Sequence, residues 1–193
     1  MLKISMSGSP RENVGKKDAK ALRNAGQIPC VLYGTGEQVH FSIDAKSFDK
    51  VIFTPNTYII ELDLNGKVVK AILQDIQYHP TTDLVLHADF LQIVEGKTIK
   101  TAVSVKTTGN SAGVIKGGKL AMIMRKVRVE GLEENIPDYV TLDISKLDIG
   151  QSIKIKEIEM ENIKFLDVPN NVVVSIRTTR AAAAALAAAA KEA

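Results

Sequence analysis

The sequence predicts a mainly β protein with short helices, in which an N-terminal six-stranded antiparallel barrel is followed by a second β-rich domain. Short runs alternate apolar and polar residues, as half-buried strands do, and turn residues separate these runs about every 8–12 positions. The pair Asn65-Gly66 lies between two such runs and is the strongest short signal of a β-hairpin. The 193 residues include 45% apolar and 24% charged side chains, a composition that excludes disorder for most of the length.

The N-terminal region opens with three predicted strands and one helix. Residues 2–8 alternate apolar and polar side chains and predict the first strand. Residues 15–26 predict a short basic helix that ends at Gly26, because glycine readily adopts the left-handed cap conformation. The apolar run at 28–34 and the alternating run at 39–43 predict the second and third strands.

A second helix and three further strands complete this region. Asp44 is placed to cap a short helix through a hydrogen bond to its first turn. The runs on either side of Asn65-Gly66, residues 57–64 and 67–77, predict the hairpin, and residues 84–93 predict the last strand. About six strands with frequent turns are typical of a small antiparallel barrel, so residues 1–93 are predicted to form one barrel domain.

The segment Glu95-Gly96-Lys97 marks the predicted boundary, and residues 94–178 are predicted to form a second β-rich domain. Its expected strands lie at 98–107, 119–130, 139–144, 153–158 and 171–178. Residues 179–193 form an alanine-rich tail with too few large apolar side chains to bury a face, so the tail carries no argument about fold or function.

Charge is distributed in blocks along the chain, although the net charge is only +3. Residues 1–36 carry +4 and residues 94–128 carry +7, whereas residues 37–93 carry −4 and residues 129–176 carry −6. The basic blocks would attract a polyanion, which the whole-chain charge does not reveal. The alternative is that they are ordinary solvated faces.

Within the first basic block, Arg11, Lys16, Lys17, Lys20 and Arg23 lie within thirteen residues. On the predicted helix Lys16, Lys20 and Arg23 are spaced i, i+4 and i+7, so they form one stripe, here called the basic stripe. The apolar residues at 21, 22 and 25 are expected to face the barrel. Such a stripe can lie along a phosphate backbone, although a solvated helix face has the same pattern.

The sequence contains no catalytic signature. Walker A, Gly-x-Ser-x-Gly and His-Glu-x-x-His motifs are all absent. The glycine-rich segment 113–118 lies between predicted strands and opens no predicted helix, so it favours a loop over a phosphate cradle. Cys30 is the single cysteine, so it cannot form an internal disulfide, and a reducing cytoplasm is expected. Its position within an apolar strand favours a small buried hydrophobic side chain over a nucleophile. The first ten residues lack the apolar segment that a signal peptide needs, so no signal peptide is expected.

Several motifs keep an order and spacing that resemble the large-subunit ribosomal protein twenty-five family, which binds 5S rRNA. In the first region these are Arg11, Gly15-Lys16, ALRNAGQIPCVLYG at 21–34, QDIQYHP at 74–80 and LHADF at 86–90. The segments AGVIKGG at 112–118, NIP at 135–137 and LDISKLDIGQS at 142–152 resemble the second domain of the longer, general stress protein Ctc type. The resemblance extends from residue 1 to about residue 178.

This resemblance implies a barrel similar to the anticodon-binding barrel of glutaminyl-tRNA synthetase, clasping the internal loop of 5S rRNA known as loop E. Arg11 and the basic stripe would neutralise phosphates and set the register. Tyr33 and His87 would contact ribose or base, and Asp89 would accept from a base amino group or a 2′-hydroxyl. Asp89 could instead be a capping or ion-pair partner of Arg23 or His87. Two second-rank candidates, Gln77 and His79, complete the predicted site.

The sequence therefore predicts a structural protein of the large ribosomal subunit that is not an enzyme and has no cofactor. Its expected partners are 5S rRNA, neighbouring rRNA and ribosomal proteins, with the chain a cytoplasmic monomer within the ribosome and with no membrane or small-molecule substrate. The main alternative is a stress-related protein-binding module with secondary RNA contact. A metal-assisted hydrolase built on His79, His87 and Asp89 is a weaker alternative, because zinc needs three or four ligands.

Overall fold

The computed structural model describes residues 1–36, 38–180 and 182–183 of the chain. They divide into two compact units. The first unit comprises Met1–Thr101 with Leu132–Ile136, and the second comprises Ala102–Gly131 with the described residues from Pro137 onwards. Most of the alanine-rich tail lies outside the described residues. The predicted mainly β class with short helices is confirmed.

The first unit is built around a closed barrel of six strands in the order β1-β3-β2-β6-β5-β4, as the sequence predicted. Its elements are β1 (Leu2–Pro10), α1 (Lys16–Asn24), β2 (Gln27–Tyr33), β3 (Val39–Asp44), α2 (Ala45–Ile52), β4 (Tyr58–Leu64), β5 (Lys67–Tyr78) and β6 (Val85–Gln92).

The barrel is mixed rather than purely antiparallel, which corrects one detail of the prediction. Its antiparallel pairs are β1–β3, β2–β3, β4–β5 and β5–β6, whereas β1–β4 and β2–β6 are parallel. Turn signals identify hairpins between strands that follow one another along the chain. The two parallel pairs join strands that are distant in sequence, so no local turn specifies their direction.

Three phenylalanines from separate elements form the centre of the barrel core. Phe41, Phe48 and Phe90 are all fully buried, with ring centroids 5.5 Å apart for Phe41–Phe90 and 5.9 Å apart for Phe48–Phe90. Phe48 belongs to α2, whose N-terminus is capped as predicted, because the Asp44 carboxylate accepts from the Ser47 backbone N–H. The core therefore attaches α2 to the barrel.

The hairpin between β4 and β5 forms at the predicted pair. Leu64 is opposite Lys67, so the loop contains only Asn65 and Gly66, with φ angles of 55° and 86°. A two-residue hairpin loop with positive φ at both positions matches the right-handed twist of its strands. These residue types adopt that conformation more readily than others, which is why the sequence signal was reliable.

Helix α1 lies on the barrel differently from the prediction. The half-buried positions are Asp18, Ala19 and Leu22, whereas Ala21 and Ala25 are exposed, and α1 has no fully buried residue. An alanine methyl buries little area, so burial of Ala21 and Ala25 has little influence on how the helix is rotated about its axis. The exposed lysines and Arg23 consequently cover the rest of the helix surface.

The second unit contains two sheets. Its first element is β7 (Ile99–Thr108), which enters this unit at Ala102. The others are α3 (Ala112–Ile115), β8 (Lys119–Met122), β9 (Lys126–Gly131), β10 (Tyr139–Asp143), β11 (Ser152–Lys154), a 3-10 helix (Ile155–Glu157), β12 (Lys164–Phe165) and β13 (Val172–Arg177). One sheet has the order β10-β7-β9-β12 and the other has the order β11-β13-β8.

Three predictions for this unit were wrong in detail. The strand expected at 153–158 is shorter, because β11 ends at Lys154 and a 3-10 helix follows over Ile155–Glu157. The single strand expected at 119–130 is divided into β8 and β9, which join different sheets. At the break, the backbone N–H groups of Ile123 and Met124 both donate to Val173 O, which removes them from a regular ladder. The glycine-rich segment does contain a short helix, α3, because the Ser111 hydroxyl accepts from Gly113 N and caps it.

Candidate nucleic-acid interface

Polar side chains share the outer surface of the barrel where β2, β6 and β5 are neighbours. Along β6, Ala88 and Phe90 are fully buried, whereas His87 and Asp89 alternate with them and are partly exposed. On β5, Asp75 is opposite Asp89 and Gln77 is opposite His87. The name "outer face" is used for these four side chains and Tyr33 of β2.

His87 and Asp89 form a pair within the outer face. His87 Nδ1 lies 2.8 Å from Asp89 Oδ1, and the two side chains are 29% and 32% exposed. The contact places the ring proton on Nδ1, which leaves Nε2 available as an acceptor when the ring is neutral. Asp89 is thus the partner of His87, as one sequence-based alternative held, and its carboxylate makes no other hydrogen bond within the described residues.

Tyr33 lies close enough to sense both carboxylates of the outer face. Its phenol pKa is raised above the usual 10.0, first by partial burial and then by the negative charges of Asp89 and Asp75. The hydroxyl therefore keeps its proton at neutral pH and can donate or accept. Sequence reasoning did not identify Asp75 as a site residue, although its spacing of two from Gln77 on a predicted strand could have done so.

Arg23 connects the basic stripe to the outer face. Its Nε donates to the backbone carbonyl of Leu86 across 2.9 Å, one residue before His87. This bond holds the C-terminal end of α1 against β6. Lys16 and Lys20, the other members of the stripe, are exposed and form no ion pair with a described residue. The structure therefore brings an uncompensated cationic stripe next to polar strand residues.

Arg11 is located differently from the lysines. Its side chain is 9% exposed, and Nη2 lies 2.6 Å from Asp18 Oδ2, while Nε donates to the same oxygen across 3.2 Å. The Arg11 backbone N–H donates to His40 O, which continues the β1–β3 pairing. The guanidinium therefore ties the start of α1 to the end of β1 and has little surface left for a phosphate.

The two second-rank candidates differ in their surroundings. His79 Nδ1 lies 3.1 Å from the Thr81 hydroxyl, and the His79 backbone bonds to Leu84 and Asp83 across the turn that follows β5. Its ring therefore braces that turn. Gln77 is exposed and opposite His87, so its amide lies at the edge of the outer face.

Metal binding and thiol chemistry depend on side-chain positions and burial, which the described residues show. Among them, no three His, Cys, Asp or Glu side chains lie close enough together to hold a metal ion. Cys30 has no exposed surface, and burial raises its pKa from 9.0 to about 12. A thiol in that state is a poor nucleophile at neutral pH. No helix in the described part of the chain has the length and apolar character that a membrane crossing needs.

Both units of the chain match models of known protein families. The model of the Ribosomal L25p family matches residues 6–90, and the model of the ribosomal protein TL5 C-terminal domain matches residues 98–180.

Similar curated proteins carry the name large ribosomal subunit protein bL25. The one from Christiangramia forsetii is 42% identical over 182 residues, covering 93% of this chain and 83% of its own. The one from Bacteroides thetaiotaomicron is 44% identical over 172 residues, covering 89% and 88%. The one from Phocaeicola vulgatus is 39% identical over 198 residues, covering 99% and 100%. With both units matched and relatives similar over nearly the whole length, the chain belongs to the Ribosomal L25p family, and it is a structural ribosomal protein rather than an enzyme.

Proposed function

We propose that this chain is a structural component of the large ribosomal subunit that binds 5S rRNA at its internal loop through the outer face and the basic stripe. One observation carries the proposal. The Arg23–Leu86 hydrogen bond places an exposed cationic helix directly beside strand residues that can donate and accept hydrogen bonds. Cations of this kind position a nucleic acid, and polar groups of this kind discriminate between bases.

In this proposal Lys16 and Lys20 neutralise phosphates, because both are exposed and neither is compensated within the described residues. Arg23, the third cation of the basic stripe, also fixes the distance between α1 and β6 through its hydrogen bond to the Leu86 carbonyl. Arg11 acts mainly by ordering the start of α1 through Asp18. The helix then offers the RNA a surface that is preorganised before binding.

The outer face supplies the specific contacts of the proposal. The Asp89 carboxylate, oriented by His87, accepts hydrogen bonds from a base amino group or a 2′-hydroxyl. Tyr33 donates its hydroxyl proton, and the Gln77 amide extends the surface along β5. Regular A-form RNA has a major groove too narrow for these side chains, so an internal loop with splayed bases is the target that fits them. His79 contributes by holding the adjacent turn.

The proposal also assigns separate roles to the two parts of the chain. Residues 1–93 form the RNA-binding barrel domain, and residues 94–178 form the Ctc-type domain that meets neighbouring rRNA and ribosomal proteins. The chain acts as a monomer within the cytoplasmic ribosome and uses no cofactor or small-molecule substrate.

Reconstitution of large subunits with and without 5S rRNA tests this function. The purified chain is added to both particles, which are then sedimented and probed for the chain. We expect the chain in particles that contain 5S rRNA and its loss from particles that lack it. Equal binding to both particles would contradict the assignment to 5S rRNA. Absence from both, with recovery in a ribosome-free protein complex, would favour the stress-related protein-binding alternative.

A further inference from the structure

Three basic residues cluster on the second unit, far along the sequence from the barrel site. Lys119 begins β8 and lies directly opposite Arg177 on β13. The Thr179 hydroxyl donates to Gly117 O across 2.7 Å, which brings the chain after β13 against the start of β8. Arg180, the next residue after Thr179, is therefore held near the same place. Lys119, Arg177 and Arg180 are here called the basic corner.

The basic corner carries positive charge that nothing nearby compensates. All three of its side chains belong to exposed residues, and none of them forms an ion pair with a described residue. The neighbouring Lys116 differs, because its Nζ lies 2.6 Å from Asp148 Oδ2. That pair also lowers the pKa of the Asp148 carboxyl, with a backbone hydrogen bond from Ile149 as the second cause. Asp148 is thus already engaged by a lysine outside the corner.

The arrangement of Lys119 and Arg177 is unfavourable for folding. Directly opposed residues of an antiparallel pair hold their Cβ atoms about 4.5–5.5 Å apart, and like charges at such positions are destabilising. Lysine on an edge strand is a common protection against aggregation, and β8 is the edge of its sheet. Protection of an edge does not explain Arg177, because β13 is the central strand of the same sheet.

The surface beside the two opposed cations suits a phosphate backbone. The next position on that face holds Ala121 opposite Ser175, and Ser175 is in turn opposite Ser152 on β11. All three side chains are short and half-buried, so a polymer can approach the sheet closely. Neither serine hydroxyl makes a side-chain hydrogen bond to another described residue, and hydroxyls beside cations are frequent phosphate contacts.

We propose that the basic corner is a second RNA-binding surface, which contacts the phosphate backbone of a regular duplex without reading its sequence. The observation that carries this inference is an opposed Lys–Arg pair that has no acidic partner among the described residues and adjoins two serine hydroxyls. The inference deepens, and rests on, the proposed contact of residues 94–178 with neighbouring rRNA, and it does not require the barrel to bind 5S rRNA. An RNA that crosses this corner would convert the repulsion between Lys119 and Arg177 into attraction for two neighbouring phosphates.

The test compares two triple variants of the full chain. Lys119→Gln, Arg177→Gln and Arg180→Gln neutralise the corner, whereas Lys146→Gln, Lys156→Gln and Lys164→Gln remove the same charge from exposed positions elsewhere in the second unit. The probe is a labelled RNA duplex of about 20 base pairs without an internal loop, titrated by fluorescence anisotropy at several KCl concentrations. We expect the corner variant to bind about tenfold more weakly near 100 mM KCl, with a salt slope lower by about 2. The control should stay within about twofold of the parent.

The melting temperature is a second readout. If the three cations only stabilised the fold, their removal would lower the melting temperature. Removing the opposed charges relieves repulsion, so the corner variant should melt at the parent temperature or slightly above it. Equal reduction of binding in both triple variants would show that only net charge matters and would overturn the proposal. Unchanged RNA binding by the corner variant would overturn it as well. Displacement of the duplex by polyglutamate at equal charge concentration would reassign the corner to acidic polypeptides.

Because the duplex has no internal loop, the outer face has no splayed bases to contact in this titration. The basic stripe is the same in the parent and in both triple variants, so its phosphate contacts do not distinguish them. Loss of 5S rRNA binding in outer-face variants, with duplex binding intact, would bear on the proposed function alone.

Discussion

Replacing Asp89 with asparagine distinguishes two explanations of its role in the outer face, because they predict opposite changes in the affinity for RNA. If Asp89 accepts hydrogen bonds from RNA, Asp89→Asn removes charge-assisted bonds and turns an amide N–H₂ towards RNA donors, at a cost of about 1–3 kcal/mol. If Asp89 only repels phosphates, its removal helps binding. For a phosphate about 8 Å away in water, that gain is about 0.5 kcal/mol.

The structure indicates that the variant will fold. Asp89 is 32% exposed, and its known partner is His87 Nδ1, a donor that the asparagine carbonyl oxygen can still satisfy. The predicted net effect is therefore a reduction of 5S rRNA binding by about tenfold or more, equivalent to about 1.4 kcal/mol. The salt slope should hardly change, because the substitution leaves every phosphate-binding cation in place.

The assay is a binding titration with 5S rRNA at three salt concentrations, beside a thermal melt. Asp49→Asn is the matched control, since Asp49 is an exposed carboxylate on α2 of the same unit and does not belong to the outer face. A purely electrostatic effect would make both variants bind equally well or more tightly than the parent. Unchanged or tighter binding by a folded Asp89→Asn variant would refute the acceptor role and leave Asp89 as the residue that orders His87.

Three further predictions concern the basic stripe, the buried thiol and the division of the chain. Lys16→Ala and Lys20→Ala should each weaken binding to structured RNA and lower the salt slope by about 0.7–0.9 for each phosphate that is no longer neutralised, measured by titration in KCl. Because burial raises the Cys30 pKa from 9.0 to about 12, this thiol ionises in the unfolded chain but not in the folded chain between about pH 9 and pH 12. Stability to urea should then fall with rising pH by up to about 1.4 kcal/mol per pH unit, and this part should vanish in Cys30→Ala. Limited proteolysis should release a stable N-terminal fragment of about 93 residues, consistent with the usual size of a domain.

A control variant or a contradicting outcome accompanies each of these three predictions. Lys46 and Lys50 on α2 are exposed and also spaced i, i+4, so alanine at both positions should leave RNA binding and its salt slope unchanged. Equal effects of the two lysine pairs would reduce the basic stripe to a solvated face. An identical alkaline decline in the parent and Cys30→Ala would contradict a buried neutral thiol. Digestion that yields no N-terminal fragment would contradict the boundary near residue 93.

The parts of the fold that sequence predicted well are those determined by neighbours in the chain. Asn65 and Gly66 adopt positive φ at almost any hairpin of this length. Asp44 caps α2 through a residue only three positions away. The strand alternation that places His87 and Asp89 on one side of β6 also depends only on local geometry.

The features that sequence did not predict depend on interactions between distant residues. Parallel pairing of β1 with β4 leaves no turn signature. The rotation of α1 about its axis follows from the Arg11–Asp18 ion pair and from Leu22, not from the alanines that the sequence pattern assigned to its inner face. The same ion pair makes Arg11 a brace for the helix rather than an open cation. The local spacing of two places Asp75 on the same face as Gln77, but its position opposite Asp89 depends on the register between β5 and β6.

The central claim, that the outer face recognises the irregular part of 5S rRNA, is tested most directly with two RNA fragments of equal length. One fragment contains the internal loop, and in the other the loop is replaced by Watson–Crick pairs. A regular A-form helix hides its base edges from these side chains, so the full chain should shift the loop-containing fragment in a gel at a concentration at least about tenfold lower. Equal affinity for the two fragments would show that the chain binds 5S rRNA by charge alone and would contradict recognition by the outer face.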